Sequence, residues 1–308
     1  MQTILGATGQ IGIELAKALK QNHTEDIRLV SRNPVKVNDS DTLFAADLTC
    51  YDETLAAVAG SAVVYFTAGL PLDTKRWQTQ FPQMVENVIA ACQEHGAKLV
   101  FFDNTYMYPQ TAVPMTEATA FQPYGKKGQV RAGLAQQVLT AMESGRVSAM
   151  ICRAPEFYGP GKTQSITNAT VLEKLAAGEP AKMFLRDDVV RSLIYTPDAS
   201  RAMALLGNTA EAYNQTWHLP CDDNRMSYSA LIDLCRQLTG QDYRYRVIKK
   251  WQLQLLAIWR PQIRETLELL PRYQVDNIFL ADKFKARFPD FTITPFAEGI
   301  KKVLTEPR

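Results

Sequence analysis

Short apolar runs alternate with longer segments of helical periodicity through the first half of this chain. The runs at 3–5, 27–30, 43–45, 62–67, 98–103 and 148–153 have strand length and sit between polar or glycine-containing breaks. Between them, 12–21, 52–58, 77–95 and 125–143 place apolar residues three and four apart, as in Ile13, Leu15, Ala16 and Leu19. That spacing predicts helices with one buried face. Strands alternating with helices predict an α/β chain whose parallel sheet is doubly wound, with helices on both faces.

The pattern changes after Gly159-Pro160-Gly161. The stretch 162–178 reads as a loop and a helix, 183–185 and 189–195 as short strands, and 197–207 as a helix. A further helix at 228–239 precedes an alternating strand at 243–248. The segment 251–270 reads as one helix ending at Pro271, and 295–304 as a last amphipathic helix. The expected division is a dinucleotide-binding domain over 1–158, with 190–218 returning to it, and a smaller C-terminal substrate-binding lobe over 159–308. Such a lobe would lie over the C-terminal edge of the sheet, where ligands bind in doubly wound folds.

Composition narrows the partners. Across 308 residues, 34 basic and 32 acidic side chains leave a net charge of +2, which gives no broad electrostatic footprint for nucleic acid or a membrane. A small-molecule substrate is expected, with no nucleic acid and no membrane partner. Cys50, Cys92, Cys152, Cys221 and Cys235 are scattered and contain no C-x-x-C pair, so they read as buried thiols in a reducing compartment. The first strand begins almost at Met1, leaving no room for a secretory leader, and the apolar tract near 253–259 is far too short to span a bilayer. A cytoplasmic protein is expected. His23, His95 and His218 show no metal-ligand spacing and read as surface or half-buried histidines, with no structural metal.

The chemistry gathers at the first turn, Leu-Gly-Ala-Thr-Gly-Gln-Ile-Gly, where glycines at 6, 9 and 12 follow a strand and open an amphipathic helix. Glycine there permits unusual dihedrals, lets backbone approach a pyrophosphate, and lets the helix pack tightly on the strand. The helix N-terminus then offers free N–H groups to phosphates. Gly6, Thr8, Gly9, Gln10, Ile11 and Gly12 are therefore the expected dinucleotide cradle of a Rossmann fold. The second strand ends in Ser31-Arg32-Asn33, without the acid that accepts the ribose hydroxyls of NAD. Arg32 offers a forked cation for a 2′-phosphate, so NADP is the expected cofactor, with NAD the alternative and a solvated turn arginine the plain reading. Asp47-Leu48 places a carboxylate either near an adenine amino group or at the start of the following helix. Thr67-Ala68-Gly69 ends the fourth strand with small residues where backbone can pass close to a cofactor.

These stations, in order with Asn87, Met107-Tyr108, Tyr124-Gly-Lys-Lys, 153–161 and 191–198, resemble the extended short-chain dehydrogenase/reductase superfamily, the NAD-dependent epimerase/dehydratase family. The likeness covers residues 1 to about 200, and more weakly 282–299. It implies an NAD(P)-dependent oxidoreductase or epimerase/dehydratase-like enzyme on a small hydroxyl or carbonyl substrate, such as a sugar or sugar nucleotide. It further implies Asn87, Pro155 and Phe157 at the cofactor, with Phe157 and Tyr158 as flat apolar faces. It places Arg191 toward substrate phosphate and Asp198 in a structural role. Helices near 77–92 and 125–143 would pair in a homodimer.

The family uses a hydroxyl residue and a Tyr-x-x-x-Lys pair, in which the lysine lowers the tyrosine pKa. Tyr124 falls at the tyrosine, but Gly128 stands where the lysine is expected, and Asn104 where the hydroxyl is expected. On a helix, a residue three positions on shares a face, so Lys127 is the surrogate and Lys126 is not. Asn104 can orient a carbonyl but cannot relay a proton, with a turn asparagine as the plain reading and Thr105 as the nearest hydroxyl. The broken motif motivates a second class of function, an NADP-binding sensor or regulatory protein without turnover.

Overall fold

The computed structural model describes residues 1–161 and 165–305. The six apolar runs form β1 (Gln2–Leu5), β2 (Ile27–Ser31), β3 (Thr42–Ala45), β4 (Val63–Phe66), β5 (Lys98–Asp103) and β6 (Ala149–Arg153). The helices between them are α1 (Gln10–Asn22), α2 (Tyr51–Val58), α3 (Thr74–His95) and α4 (Gly125–Glu143). Later strands are β7 (Glu156–Tyr158), β8 (Ala181–Phe184), β9 (Val190–Arg191), β10 (Leu193–Tyr195), β11 (Gln215–His218), β12 (Met226–Ser227) and β13 (Tyr245–Ile248). The later helices are α5 (Glu173–Ala176), α6 (Thr196–Gly207), α7 (Tyr228–Thr239), α8 (Lys250–Trp259), α9 (Pro261–Thr266), α10 (Asp282–Arg287) and α11 (Phe296–Thr305). A π turn over Asn168–Leu172 leads into α5, and a 3-10 segment, Leu267–Tyr273, follows α9. Of the loop expected over 162–178, residues 162–164 lie outside the described residues.

The central sheet is parallel, in the order β11-β6-β5-β4-β1-β2-β3. Its chain order reverses between β1 and β4, and ligand crevices of doubly wound sheets open at that point, beyond the strand C-termini. Gly6, after β1, and Thr67, after β4, stand at that crevice. One face of the sheet packs against α1 and α6 through residues such as Leu15, Leu19, Ala199 and Met203. The other packs against α2, α3 and α4 through Val58, Phe81, Val85, Leu134 and Val138. A third core, with Leu172, Met183, Leu231, Ile232 and Ile300, belongs to the late lobe.

Two features depart from the sequence pattern. The edge strand β11, Gln-Thr-Trp-His, has no apolar run to announce it, and it forms because β6 offers it a parallel partner from Met150 to Arg153. The helix expected over 251–270 is broken, because Arg260 takes extended dihedrals (φ −127°, ψ 100°) in front of Pro261. A proline ring disfavours helical geometry in the residue before it and suits the first turn of a new helix.

Candidate active site

A cavity of about 830 Å³ runs along the C-terminal ends of β1, β2, β4 and β5 and under the late lobe. Gly6, Thr8, Gly9, Gln10 and Ile11 line it, as do Arg32, Asp47, Leu48, Thr67, Ala68, Gly69, Asn104, Thr105, Pro155 and Phe157. Gly6 has φ +91°, and a Cβ there would stand 2.5 Å from the Ala68 backbone nitrogen. The turn and the end of β4 therefore touch only because residue 6 has no side chain. Gly12 does not line the cavity. Its Cβ would stand 2.8 Å from the Ala7 Cα and from the Gly6 carbonyl oxygen, so this glycine seats α1 on the turn. Gly9 caps α1 without a side-chain bond, and the first turn holds no acid, which leaves the positive end of the helix dipole available to an anion. Gln10 donates to the Pro160 carbonyl, tying the turn to the chain that enters the lobe.

At the β2–β3 end, Arg32 faces Asp47. Asp47 Oδ1 accepts from the Thr49 N–H at 2.9 Å and the Thr49 hydroxyl at 2.8 Å. These bonds, with the Arg32 charge, hold the Asp47 carboxyl below its ordinary range against the opposing effect of burial. Asp47 does not cap α2, whose N-cap is Cys50. Of the two readings of this residue, the structure leaves the carboxylate on the cavity wall. Ser31 Oγ is buried here without a hydrogen-bond partner.

Asn87 is not on the cavity wall, contrary to expectation. It is buried in α3 and donates to the Leu48 carbonyl at 2.9 Å, so it fixes the wall from behind. Tyr158 is likewise withdrawn, since its ring stacks on Phe296 at 5.6 Å inside the lobe core.

The expected catalytic pair is also placed elsewhere. Tyr124 is the N-cap of α4, 52% exposed, and outside the cavity lining. Lys127 is 1% exposed, with Nζ 2.6 Å from Glu265 Oε2, 2.6 Å from Glu268 Oε1 and 2.6 Å from Thr74 Oγ1. It ties α4 and α3 to α9 and to the 3-10 segment. Gly128 has no space for a side chain, because a Cβ would meet the Tyr106 carbonyl at 2.9 Å. The expected i+3 partnership of Tyr124 and Lys127 is not formed: Tyr124 precedes the helix and is exposed, while Lys127 is buried and claimed by carboxylates 138 and 141 positions away.

Other side chains occupy this end of the cavity. Asn104 Oδ1 accepts the Tyr106 N–H at 2.9 Å, which realises the turn reading and leaves its amide nitrogen as the donor. Arg272 donates to Thr105 Oγ1 at 2.8 Å and lies 4.5 Å from the Tyr106 ring centroid, and its Nε is buried without a partner. Burial pushes the Tyr106 hydroxyl pKa up, and nearby Arg272 partly opposes this. Arg131, one turn beyond Lys127, donates Nε to Asp103 Oδ1 at 3.0 Å and also lines the cavity. The spacing Lys127-x-x-x-Arg131 places two cations on one helix face, a signal available in the sequence. Arg272, by contrast, carries no local pattern beyond its place after Pro271.

Charges behind the wall are paired. Arg186 pairs with Asp188 on the exposed surface, and Arg191 is buried against Glu156 at 3.1 Å. Burial alone would raise the Glu156 carboxyl, but Arg191, Thr167 and Arg272 hold it below its ordinary range. Asp198 accepts from Arg201 and Thr294 and ties α6 to the late chain. Arg153 donates to the Tyr108 hydroxyl at 2.6 Å, Tyr108 donates to His218 Nε2 at 2.8 Å, and His218 Nδ1 donates to the Leu280 carbonyl at 2.7 Å. His218 is thus fully buried rather than half-exposed. Burial, with Arg153 and Lys283, lowers its pKa to about 3 despite the Leu280 bond. Of the cysteines, Cys92, Cys152, Cys221 and Cys235 are buried and Cys50 is half-buried.

A model of the NAD-dependent epimerase/dehydratase family matches residues 3–217. Among solved structures, the chain resembles a UDP-glucuronic acid 4-epimerase from Bacillus cereus in complex with UDP-glucuronic acid and NAD (TM-score 0.80, 14% identity, 99% of this chain and 98% of that one). It also resembles a UDP-glucose 4-epimerase from Thermus thermophilus in complex with NAD (0.78, 15%, 99% and 98%). A third likeness is to MoeE5 in complex with UDP-glucuronic acid and NAD (0.78, 18%, 97% and 96%). At these identities the likeness is one of fold. A comparison with curated proteins gives no match. No helix among the described residues is long and apolar enough to cross a membrane.

Proposed function

This chain belongs to the NAD-dependent epimerase/dehydratase family, and on that premise we propose that it binds NADP along the cavity and acts as an oxidoreductase or epimerase/dehydratase-like enzyme on a small hydroxyl or carbonyl substrate. The observation that carries this reading is the continuity of the cavity from Arg32 and the glycine turn to Thr105, Tyr106, Arg131 and Arg272. Its volume lies toward the upper end of small-molecule sites. The residues fit a dinucleotide. Gly6 and Gly9 clear the approach to the uncapped N-terminus of α1 for a pyrophosphate. Arg32 suits a 2′-phosphate, with the unpartnered Ser31 hydroxyl beside it. Asp47 suits an adenine amino donor, and Pro155 and Phe157, on the cavity wall, would border the nicotinamide.

The bound nicotinamide would supply or accept the hydride. The side chains supply position and protons. The Asn104 amide and the Arg131 guanidinium are donors for a substrate oxygen, and the hydroxyls of Thr105 and Tyr106 hold protons at the same end. Arg272 bonds one of these residues and covers the ring of the other. Incubation with 4-deuterated NADPH and a panel of aldehydes or ketones, and with NADP+ and alcohols or sugar nucleotides deuterated at the hydroxyl-bearing carbon, tests the reading. Deuterium in a reduced product or in NADPH, or an epimerised sugar nucleotide that retains its deuterium, is the expected outcome.

A second reading is favoured by the exposure of Tyr124 and the capture of Lys127 by two carboxylates. In that reading the chain is an NADP-binding sensor or regulatory protein. It predicts NADP affinity with no deuterium transfer across the panel. Pairing of α3 and α4 in a homodimer is part of either reading and is tested by light scattering.

A further inference from the structure

We propose that α8 is a docking helix for an anionic membrane surface, so that this chain works as a peripheral membrane protein. Five of the ten large apolar residues that stand exposed among the described residues lie on this helix: Trp251, Leu255, Leu256, Ile258 and Trp259. Trp259 is 82% exposed and Ile258 66%. Trp251, Leu255, Ile258 and Trp259 are spaced i, i+4, i+7 and i+8 and share one face. Leu253 and Ala257, on the opposite side, bury the helix against the lobe. The helix is therefore apolar on two faces. One face is satisfied within the protein and the other is turned to solvent, which isolated burial needs of a fold do not explain.

Charge identifies the occupant. Between 243 and 264 the chain carries Arg244, Arg246, Lys249, Lys250, Arg260 and Arg264 and no acidic residue. All six are exposed, and none is ion-paired among the described residues. The overall charge of +2 thus conceals a local concentration of cations on both sides of an apolar face. Tryptophans with flanking lysine and arginine favour the boundary between lipid headgroups and acyl chains, where an indole is half in each medium. An anionic headgroup layer attracts the flanking cations while the face of Trp251, Leu255, Ile258 and Trp259 enters the interface. This revises the expectation of no membrane partner, which rested on net charge and on the inability of the tract to span a bilayer. The same chain segment continues through α9 into Leu269, Arg272 and Tyr273 on the cavity wall, so docking would hold the substrate end of the cavity close to the lipid surface.

Vesicle flotation of the full chain tests the proposal, using vesicles of equal parts phosphatidylglycerol and phosphatidylcholine, and vesicles of phosphatidylcholine alone. Binding to the anionic vesicles is expected, with a blue shift of tryptophan emission and weakening at high salt. A double variant, Trp251→Gln with Trp259→Gln, should lower the bound fraction by about tenfold or more, and Lys249→Glu with Lys250→Glu should lower it similarly. Both variants alter exposed side chains and should keep wild-type NADP affinity, which separates loss of docking from loss of fold. Failure of the wild type to float with anionic vesicles at low salt overturns the proposal. So does binding that the tryptophan variant leaves unchanged. A wild-type dimer that becomes monomeric in the tryptophan variant, with no vesicle binding by either, assigns the face to a second copy instead.

Discussion

Lys127 Nζ lies 2.6 Å from Glu265 Oε2, and the lysine is 1% exposed. The charge that family likeness places beside the catalytic tyrosine here fastens α4 to α9. Removing it leaves Glu265 and Glu268 facing each other without a cation, and breaking a buried pair costs several kcal/mol when the survivor stays buried. Both carboxylates keep some access to water, so Lys127→Met should lower unfolding free energy by about 2–3 kcal/mol while NADP affinity changes little. Denaturant unfolding and ligand titration on the same sample check both parts.

The same pair has a pH signature. Burial raises the Glu265 carboxyl, but the bonds from Lys127 and Thr74 outweigh it and hold the pKa below its ordinary value. A depressed carboxylate contributes stability above its unfolded pKa and loses it as pH falls through the folded value. Wild type should therefore lose stability on acidification through the carboxylate range more steeply than Lys127→Met does.

Tyr124→Phe should leave stability, NADP affinity and any turnover within about twofold of wild type, because exposed side chains away from a site rarely matter more. Loss of turnover in this variant would return Tyr124 to catalysis.

His218 provides a second pH test. Its folded pKa is about 3 against an ordinary 6.5, so between these values the unfolded chain binds a proton that the folded chain excludes. Stability should fall with pH across that window by up to about 1.4 kcal/mol per unit. His218→Gln should flatten the upper part of the curve, where carboxylates do not yet titrate, as read by thermal melts above about pH 5.

Most of the central sheet was legible in the sequence because β1, β2, β4, β5 and β6 are apolar runs that the fold buries, whereas β3 is a short run on the exposed edge and β11 carries no such run; α4 was legible to the residue. The glycine turn was legible for a related reason, since Gly6 has a dihedral and a neighbour that admit nothing else. The reacting end was less so. Whether Lys127 or Arg131 faces the cavity depends on Glu265 and Glu268, which are far away in sequence and arrive only through the break at Pro261. That break was itself readable from Arg260-Pro261, but the strong periodicity of 251–270 outweighed it. The outer face of α8 is not legible from net charge or tract length, because it shows only once Leu253 and Ala257 are seen to fix which side of the helix is buried.

The central claim is that the cavity holds a dinucleotide phosphate at Arg32, and calorimetric titration of the chain with NADPH and NADH, repeated with Arg32→Ala, tests it most directly. The predicted result is binding of both, with NADPH preferred by about tenfold or more and the preference lost in the variant, as expected for a charge-assisted fork on phosphate. No binding of either nucleotide, or a preference for NADPH that survives Arg32→Ala, would contradict it.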